Sequence, residues 1–146
     1  MKVEESPIII EQAFEKPASY VWQAITELKH MQNWFFNNIW NFKAEVGFKT
    51  SFIISNDGRD FNHLWEIIRV VPNKTIKYNW KYEGYPGNSN VEFNLNEYAS
   101  KTNLKLIVTI LEDFPDSIPE FKLESCKAGW DYFIKFSLKN YIDNMI

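Results

Sequence analysis

Ionisable side chains between Phe61 and Val71 are the ones whose type and spacing suit acid–base chemistry. The segment alternates apolar and polar residues, which is typical of a strand, so His63 shares a face with Phe61 and Trp65. A histidine held on that face beside a substrate would be a general acid or base. A histidine at a strand end also commonly lies at the rim of a cavity or in solvent, and this alternative remains open.

Two charged side chains follow along the same segment. Glu66 is out of step with the apolar alternation and would point outward in a regular strand. The adjacent apolar residues Ile67 and Ile68 indicate a β-bulge, beyond which the facing of the side chains would change. An inward Glu66 would have a raised pKa in an apolar pocket, and an inward Arg69 would anchor a ligand carboxylate. The sequence leaves the facing of both residues open.

The other candidates for nucleophilic or metal chemistry form no recognisable pattern. Cys126 is the only cysteine and lies on the apolar face of a helical segment, where we expect a small buried hydrophobe. His30 and His63 are too few and too far apart along the chain to predict a metal site. The chain contains no phosphate-binding loop, dinucleotide fingerprint or nucleophile elbow. We therefore predict no cofactor and no metal, and we assign no catalytic residue.

Aromatic side chains occupy many of the apolar positions. The chain of 146 residues contains 6 Trp, 7 Tyr and 12 Phe, and each buried ring removes about 150–250 Å² from water. Because Trp and Tyr carry polar atoms that seek partners, such rings suit the lining of a ligand pocket. The same rings would also suit a tightly filled core, and this alternative remains open. The residues predicted to bind a ligand are Trp40, Phe52, Trp65, Tyr78, Trp80, Phe93, Trp130, Phe133 and Ser137.

Strands and two short helices are predicted to position these residues. The strand patterns cover residues 8–14, 40–45, 49–55, 61–71, 74–82, 89–98 and 102–112. Short turns rich in Asn, Asp, Gly and Pro join the later strands, so neighbouring strands must be antiparallel. The helical patterns cover residues 18–27 and 29–34, directly after the first strand.

A long helix is predicted at the C-terminal end of the sequence, from residue 117 to about residue 144. Ser117 and Glu120 are spaced as a capping box, with Pro119 in the first turn. The apolar face of this helix needs cover, and the sheet is the large surface available. Gly129 and Ser137 are small where a packed core would prefer leucine, which favours a gap between helix and sheet. The expected architecture is α+β, with a curved antiparallel sheet of six to seven strands around the helix.

Composition and charge exclude several classes of function. The formal net charge is −3, and Lys and Arg are scattered, so the basic surface needed for nucleic-acid binding is missing. No apolar run approaches the roughly 20 residues of a membrane-spanning helix, and residues 1–7 lack the apolar stretch of a signal peptide. A single cysteine fits a reducing compartment. We expect one domain over residues 1–146, in the cytoplasm.

Short motifs spread over nearly the whole chain carry a resemblance to one protein family. In them the chain resembles the activators of heat-shock protein 90 ATPase, in their bacterial single-domain branch. That family belongs to the START-like, helix-grip fold shared with polyketide cyclases and the birch-pollen allergen. The motifs are Ala13-Phe14 with Pro17, Val21 to Glu27, Met31 with Trp34, Gly47-Phe48, Trp65-Glu66-Ile67, Val71 to Lys74, Tyr78 with Trp80, Val91 to Leu95, and Gly129-Trp130.

The resemblance implies a helix-grip fold and leaves three functions to distinguish. The leading hypothesis is non-enzymatic binding of a small hydrophobic or lipid-like ligand in a cavity between the sheet and the C-terminal helix. One alternative is a co-chaperone, acting in the stress response, that stimulates a heat-shock protein 90 ATPase. Another is a cyclase or aromatase whose acid or base would come from His63, Glu66 or Arg69. A homodimer is a further candidate, through rings such as Phe36 and Tyr85.

Overall fold

An antiparallel sheet of six strands forms the larger part of the molecule. In the computed structural model, which describes residues 1–145, the strands are Ile8–Phe14 (β1), Lys49–Asn56 (β2), Arg59–Val71 (β3), Thr75–Tyr82 (β4), Asn88–Tyr98 (β5) and Lys101–Glu112 (β6). Their order across the sheet is β1-β6-β5-β4-β3-β2. Strands β2 to β6 follow one another as antiparallel neighbours, which confirms the antiparallel arrangement predicted from the short turns.

The β2–β3 hairpin shows how local sequence determines the facing of the residues that follow. Asp57 and Gly58 have positive φ angles of 52° and 79°, as the tight two-residue turn of a hairpin requires. The turn pairs Asn56 with Arg59, and the register then places His63 opposite Phe52. Both of these side chains are buried on the inner face of the sheet.

Strand β3 contains the predicted β-bulge. Its pairing with β4 shifts between Ile67 and Arg69, so Ile67 is buried while Ile68 is exposed. Glu66 precedes the shift and alternates with buried neighbours, so it lies on the outer face. Arg69 is exposed, and Val70 returns to the core. The bulge therefore changes the facing of the strand without bringing either charged side chain into the interior.

Three helical segments cover the inner face of the sheet. The helices α1 (Ala18–Thr26) and α2 (Leu28–Trp34) follow β1, as predicted. The C-terminal helix consists of Leu123–Asp131, the π-helical segment Tyr132–Leu138, and Lys139–Asp143. Its buried face carries Trp130, Ile134, Leu138 and Ile142. The predicted α+β helix-grip architecture is confirmed. Within residues 1–145, no helix has the length and apolarity to span a membrane.

The C-terminal helix begins later than the sequence predicts. Pro119–Phe121 form a single 3-10 turn, and neither this turn nor the following helix has a side-chain cap. Glu120, expected in a capping box with Ser117, is instead bound by Arg59, with Nε–Oε1 and Nη2–Oε2 distances of 3.0 Å. A two-pronged pair with a guanidinium group is stronger than a hydrogen bond to one backbone N–H, so the distant partner prevails over the local motif.

Residues 35–48 form a loop, termed the α2–β2 loop, in place of the strand predicted over residues 40–45. The loop is joined to the edge strand β2 by side chains. Asn38 Nδ2 donates to the Ile53 carbonyl at 2.6 Å, and Trp40 Nε1 donates to the Ser51 carbonyl at 2.8 Å. These bonds occupy carbonyl groups that a further strand would otherwise use, so the sheet ends at β2.

Candidate ligand site

A cleft opens between the β2–β3 hairpin and the residues that lead into the C-terminal helix. Its volume is about 430 Å³, within the range of about 300–1,000 Å³ that is typical of small-ligand pockets. Exposed polar residues, among them Asn56 and Ser125, lie at the rim. The depth of the cleft is lined by rings that belong to the core or pack against it, namely Phe36, Phe61, His63, Tyr82, Phe121 and Phe133.

An ion pair joins the two sides of the cleft. Arg59 on β3 holds Glu120 through two parallel hydrogen bonds, and Asn56 Nδ2 donates to Glu120 Oε2 at 2.8 Å. The hydrogen bonds from Arg59 keep the pKa of the Glu120 carboxyl below its usual value. The pair fixes the hairpin against the 3-10 turn and thereby sets the width of the opening.

His63 forms part of the wall of the cleft, with its ring buried. Its Nδ1 lies 2.9 Å from the Phe61 carbonyl. Since a carbonyl only accepts, Nδ1 carries the proton and Nε2 is left as an acceptor. Burial lowers the pKa of His63 to about 4, and the ring stacks on Phe52 at a centroid distance of 4.8 Å. At neutral pH the residue is an uncharged acceptor facing an apolar cleft.

Two phenylalanines of the α2–β2 loop fill the space behind the cleft. Phe35 stacks on Trp65 with ring centroids 5.6 Å apart, and Phe36 stacks on Phe35 at 4.6 Å. Beyond them, a void bordered by Trp80 and Trp130 has a volume of about 30 Å³, which is the space of a single water molecule. The space between the sheet and the C-terminal helix is therefore filled by side chains, as in the alternative of a tightly filled core.

The π-helical segment of the C-terminal helix holds the opposite side of this ring cluster. Phe133 lies 4.9 Å from Phe35 and 5.1 Å from Phe36, measured between ring centroids. Ser137 Oγ, expected to hydrogen-bond a ligand, donates instead to the Trp34 carbonyl at 2.6 Å. Helical segments of this kind are rare and often occur at functional sites.

Most of the residues predicted to bind a ligand surround Phe35 and Phe36. Five contact one or both of these rings: Phe52, Trp65, Trp80, Trp130 and Phe133. Tyr78 and Phe93 lie one layer deeper, because Tyr78 contacts Trp65 at 5.0 Å and Phe93 contacts Tyr78 at 5.9 Å.

Trp40 and Gly129 do not lie where the sequence suggests. Trp40 is 67% exposed beyond the edge of β2, apart from the ring cluster, because its indole is bonded to a strand carbonyl. Gly129 faces open space rather than the sheet, so its small size leaves no gap in the interior. Gly129 is exposed, so its small size does not bear on the space between helix and sheet.

Sequence reasoning missed several rings that shape the cleft. Phe61 and Tyr82 were on predicted strands but outside the predicted site, and Phe121 lay in the expected helix. Tyr85, expected at a dimer surface, packs against Phe61 at 5.4 Å and Phe121 at 5.3 Å. Phe36, which was also considered as a ring of a dimer surface, lines the cleft. The apolar run at residues 34–36, placed where a helix ends, was the signal that could have shown the inserted rings.

The structure shows neither an activated cysteine nor a metal-binding cluster among the described residues. Burial raises the pKa of the Cys126 thiol to about 11, so it is protonated at neutral pH and unsuited to nucleophilic attack. Among the residues that the structure describes, no group of three His, Cys, Asp or Glu side chains could hold a metal ion.

A curved six-stranded antiparallel sheet around one long helix, with a ring-lined cleft beside the β2–β3 hairpin, defines a START-like domain. The chain belongs to the family described as activator of Hsp90 ATPase homolog 1-like protein, whose model matches residues 15–143. The match confirms the resemblance seen in the sequence motifs. No curated protein sequence matches the chain.

Solved structures of similar fold cover nearly the whole chain. Protein MLL2253 from Mesorhizobium loti is 25% identical over 96% of this chain and 98% of its own, with a TM-score of 0.74. The Aha1 dimer from Colwellia psychrerythraea is 19% identical over 96% and 98%, with a TM-score of 0.74. DynU16, a protein of the dynemicin biosynthetic locus, is 23% identical over 96% of this chain and 48% of its own, with a TM-score of 0.76. At these identities, the likeness to the Aha1 dimer and to DynU16 shows only that the fold is shared.

Proposed function

We propose that this protein binds a small, mostly apolar ligand in the cleft between the β2–β3 hairpin and the C-terminal helix. The observation that carries the proposal is the cleft itself, about 430 Å³ in volume and lined by rings. Burial of apolar surface against these rings would supply affinity at about 25 cal/mol per Å². Polar groups at defined positions, His63 Nε2 in the wall and the Arg59–Glu120 pair at the rim, would orient the ligand.

The lining favours binding over catalysis. A cyclase or aromatase needs an acid or base that faces its substrate, and Glu66 and Arg69 lie outside the interior. His63 faces the cleft, but its pKa of about 4 makes it a weak base at neutral pH. Arg59 and Glu120 neutralise each other. The catalytic alternative therefore depends on His63 alone.

The rings predicted from the sequence form the inner boundary of this proposed site. Phe36 separates the cleft from Phe52, Trp65 and Trp80, and contacts all three. A ligand that filled only the cleft would touch Phe36, whereas a longer, lipid-like ligand would displace Phe36 and reach the rings behind it. The proposal covers both a ligand confined to the cleft and a longer ligand that reaches the rings behind Phe36.

A fluorescent probe tests the proposal against a matched pair of variants. N-phenyl-1-naphthylamine is neutral and apolar, and we expect it to bind saturably with a stoichiometry of one. Ser125 is exposed and lines the cleft, so Ser125→Trp would place a ring in the opening. We expect this variant to weaken binding about tenfold, equivalent to about 1.4 kcal/mol. Lys127→Trp, at an exposed position of the same helix outside the cleft, should leave binding unchanged.

The outcome of the titration decides the location of binding directly. Equal probe affinity in wild-type protein and folded Ser125→Trp would overturn the assignment of the cleft. Native mass spectrometry of freshly purified protein, followed by denaturation, identifies any ligand that copurifies. A released apolar molecule would support the proposal and name the ligand class.

Stimulation of a heat-shock protein 90 ATPase is a second candidate, favoured by the family and by one surface feature. Tyr132 and Phe136 are 55% and 59% exposed and stack with ring centroids 5.5 Å apart. A groove of about 900 Å³ lies beside Phe136, between α1, α2 and the C-terminal helix. Exposed rings of this kind suit a protein partner.

A turnover assay distinguishes this second candidate from ligand binding. A bacterial heat-shock protein 90 should hydrolyse ATP faster with the protein added, and the Tyr132→Ser/Phe136→Ser double variant should lose the effect. Because the Colwellia Aha1 structure is of a dimer, self-association through the same stack is the competing outcome. Sedimentation of both proteins alone separates the two.

A further inference from the structure

A second cavity lies on the outer face of the sheet, away from the C-terminal helix. Its volume is about 470 Å³, within the range of about 300–1,000 Å³ that is typical of small-ligand pockets. It shares no lining residue with the cleft, so the two are separate. Its floor is formed by outward-facing residues of three neighbouring strands, namely Lys49, Ser51, Leu64, Glu66, Asn79 and Lys81.

Trp40 of the α2–β2 loop lines the same cavity. The side chain is 67% exposed, although tryptophan is highly buried on average. Its orientation is fixed, because Nε1 donates to the Ser51 carbonyl at 2.8 Å. An indole N–H bonds in the plane of the ring, so this bond occupies one edge of the ring. The rest of the exposed indole is available for stacking against a ligand.

The charged side chains of the floor are not paired as they are elsewhere on the outer face. Lys77 and Glu92 lie opposite each other on neighbouring strands, and Lys77 Nζ is 3.8 Å from Glu92 Oε2. Lys49 and Glu66 also lie opposite each other on neighbouring strands. Within the described part of the chain, however, neither of them forms an ion pair, and nor does Lys81. Two ammonium groups and one carboxylate are therefore available to a ligand.

The strand register determines how the groups of the floor are arranged. Strands lie about 4.8 Å apart and residues two positions apart are separated by about 7 Å, so the floor measures about 10 Å by 7 Å. Glu66 holds the middle of one row, and the apolar Leu64 holds the middle of the other. The two rows across β2, β3 and β4 are Lys49–Glu66–Asn79 and Ser51–Leu64–Lys81.

We propose that this cavity binds a neutral sugar, as a flat β-linked disaccharide unit with one ring stacked on Trp40. A pyranose ring has an apolar face of C–H groups and a rim of hydroxyl groups that both donate and accept. The indole and Leu64 meet the apolar face. Glu66 accepts from hydroxyl groups, and Lys49 and Lys81 donate to them.

The charges of the floor favour a neutral polar ligand over the alternatives. An anion such as a nucleotide would meet the carboxylate of Glu66 in the middle of a row, where like charges repel. A wholly apolar molecule would take charged groups out of water without giving them partners, which is costly. The sugar site goes beyond the proposed function, because it lies on the opposite face of the sheet from the cleft.

Two probes of similar polarity and different shape test the proposal. Cellobiose is a flat β-linked disaccharide, whereas sorbitol is an open-chain polyol without a ring face. In ¹H–¹⁵N spectra of the wild-type protein, cellobiose should shift the Trp40 indole resonance saturably. Sorbitol at an equal concentration of hydroxyl groups should leave it in place. The backbone amides of Leu64 and Glu66 provide a second readout that does not depend on the indole.

Three variants locate the binding. Trp40→Ala should abolish the effect of cellobiose on the amides of β3. Lys81→Met should weaken cellobiose binding about three- to tenfold, the effect of one hydrogen bond from a charged group. Lys77→Met is the matched control, because Lys77 lies on the same face of the same strand but outside the cavity. It should leave cellobiose binding unchanged.

Each contrary result overturns the proposal without touching the cleft. The sugar site is wrong if cellobiose causes no saturable shift, or if Lys81→Met and Lys77→Met weaken its binding equally. Uridine monophosphate shifting the Trp40 resonance where cellobiose does not would assign the cavity to aromatic anions instead. Sedimentation of a dimer that Trp40→Ala dissociates would show that a second copy covers the cavity. Binding of N-phenyl-1-naphthylamine to Lys81→Met tests the proposed function separately and should equal that of the wild-type protein.

Discussion

The two ends of the protein interior are closed in different ways. At the end near Phe114, which we term the closed end, the turn at Gly87 is tightly packed: a Cβ added to Gly87 would lie 2.4 Å from the Phe114 ring. The void of about 30 Å³ beside Phe114 has the space of a single water molecule. Polar groups there are paired, as where Ser89 Oγ donates to the Trp80 carbonyl at 2.7 Å. At the end under the α2–β2 loop, which we term the loop end, Phe35 and its neighbours cover polar atoms that lack partners.

This difference indicates which end of the interior can change. At the closed end, any rearrangement would break both ring contacts and hydrogen bonds. At the loop end, Phe35 and Phe36 are held by contacts between rings, and the polar atoms of Trp65 and Tyr78 have no hydrogen bond within residues 1–145 that a rearrangement would break. We therefore expect a rearrangement to cost less free energy at the loop end than at the closed end.

The largest effect is expected from adding a methyl group at the closed end. Gly87 has a φ of 116° and no space for a side chain, so Gly87→Ala should destabilise the protein by about 3–4 kcal/mol through strain and overpacking. Gly84→Ala is the matched control, because Gly84 has a φ of 81° but open space around it. It should cost about 1–2 kcal/mol. Urea unfolding measures both, and equal losses would contradict the tight packing at Phe114.

A pH effect is expected from His63, which lies between the two ends. Its pKa is about 4 in the folded protein and about 6.5 when unfolded. The unfolded chain therefore binds the proton first as pH falls, and stability is lost between pH 6.5 and 4. The contribution to stability is about 3 kcal/mol; it is fully present above pH 6.5 and fully lost below pH 4.

The control for this prediction removes the titrating ring. His63→Gln should show a flatter dependence of unfolding free energy on pH, as measured by urea unfolding at pH 7, 6 and 5. If both proteins lose stability with the same slope, His63 is solvated in the folded protein, and the cleft is wetter than its ring lining indicates.

Two tyrosine variants compare a paired hydroxyl with an unpaired one. Tyr82→Phe leaves Trp80 Nε1 without its acceptor, so it should cost about 1–2 kcal/mol. Tyr78→Phe removes a hydroxyl that has no partner, so the unfolding free energy should stay unchanged or rise by up to about 1 kcal/mol. Thermal and urea unfolding of both variants provide the measurement. A loss in Tyr78→Phe as large as in Tyr82→Phe would show that a bound water pairs the hydroxyl.

The smallest effect is expected from loosening the loop. Trp40→Phe removes the hydrogen bond to the Ser51 carbonyl from an exposed position, so it should cost about 0.5–1 kcal/mol. Because this bond holds the α2–β2 loop on β2, we expect N-phenyl-1-naphthylamine to associate faster in stopped-flow measurements. Unchanged association would mean that probe entry does not depend on motion of the loop.

Much of the fold was predictable because its signals are local. Alternation along β3 placed Phe61, His63 and Trp65 on one face, and the adjacent pair Ile67 and Ile68 indicated the bulge. Each of these features depends on residues within a few positions of one another. The capping box was wrong because Glu120 binds Arg59, 61 residues earlier in the chain, which no local spacing reveals.

The strand residues around the candidate site were predictable from the sequence, but the loop residues that fill the space between them were not. Alternation identifies rings that face inward, such as Trp80 and Phe93, since a strand has only two faces. Loop side chains have no such periodicity, so the sequence did not indicate that Phe35 turns inward while Trp40 turns outward. The cleft also joins residues of β3, the 3-10 turn and the C-terminal helix, which are distant in the chain.

The sequence by itself determined six of the seven predicted strands, the facing of their side chains, the bulge and most of the long helix, because hydrophobic periodicity and turn residues act over short distances. Only the tertiary structure decided that the space between sheet and helix is filled by Phe35 and Phe36, and that a cleft remains beside them. It also decided that Trp65 and Tyr78 are left with unpaired polar atoms. These outcomes depend on packing between segments far apart in the chain, where the fit of whole side chains, rather than their order, determines which space is filled.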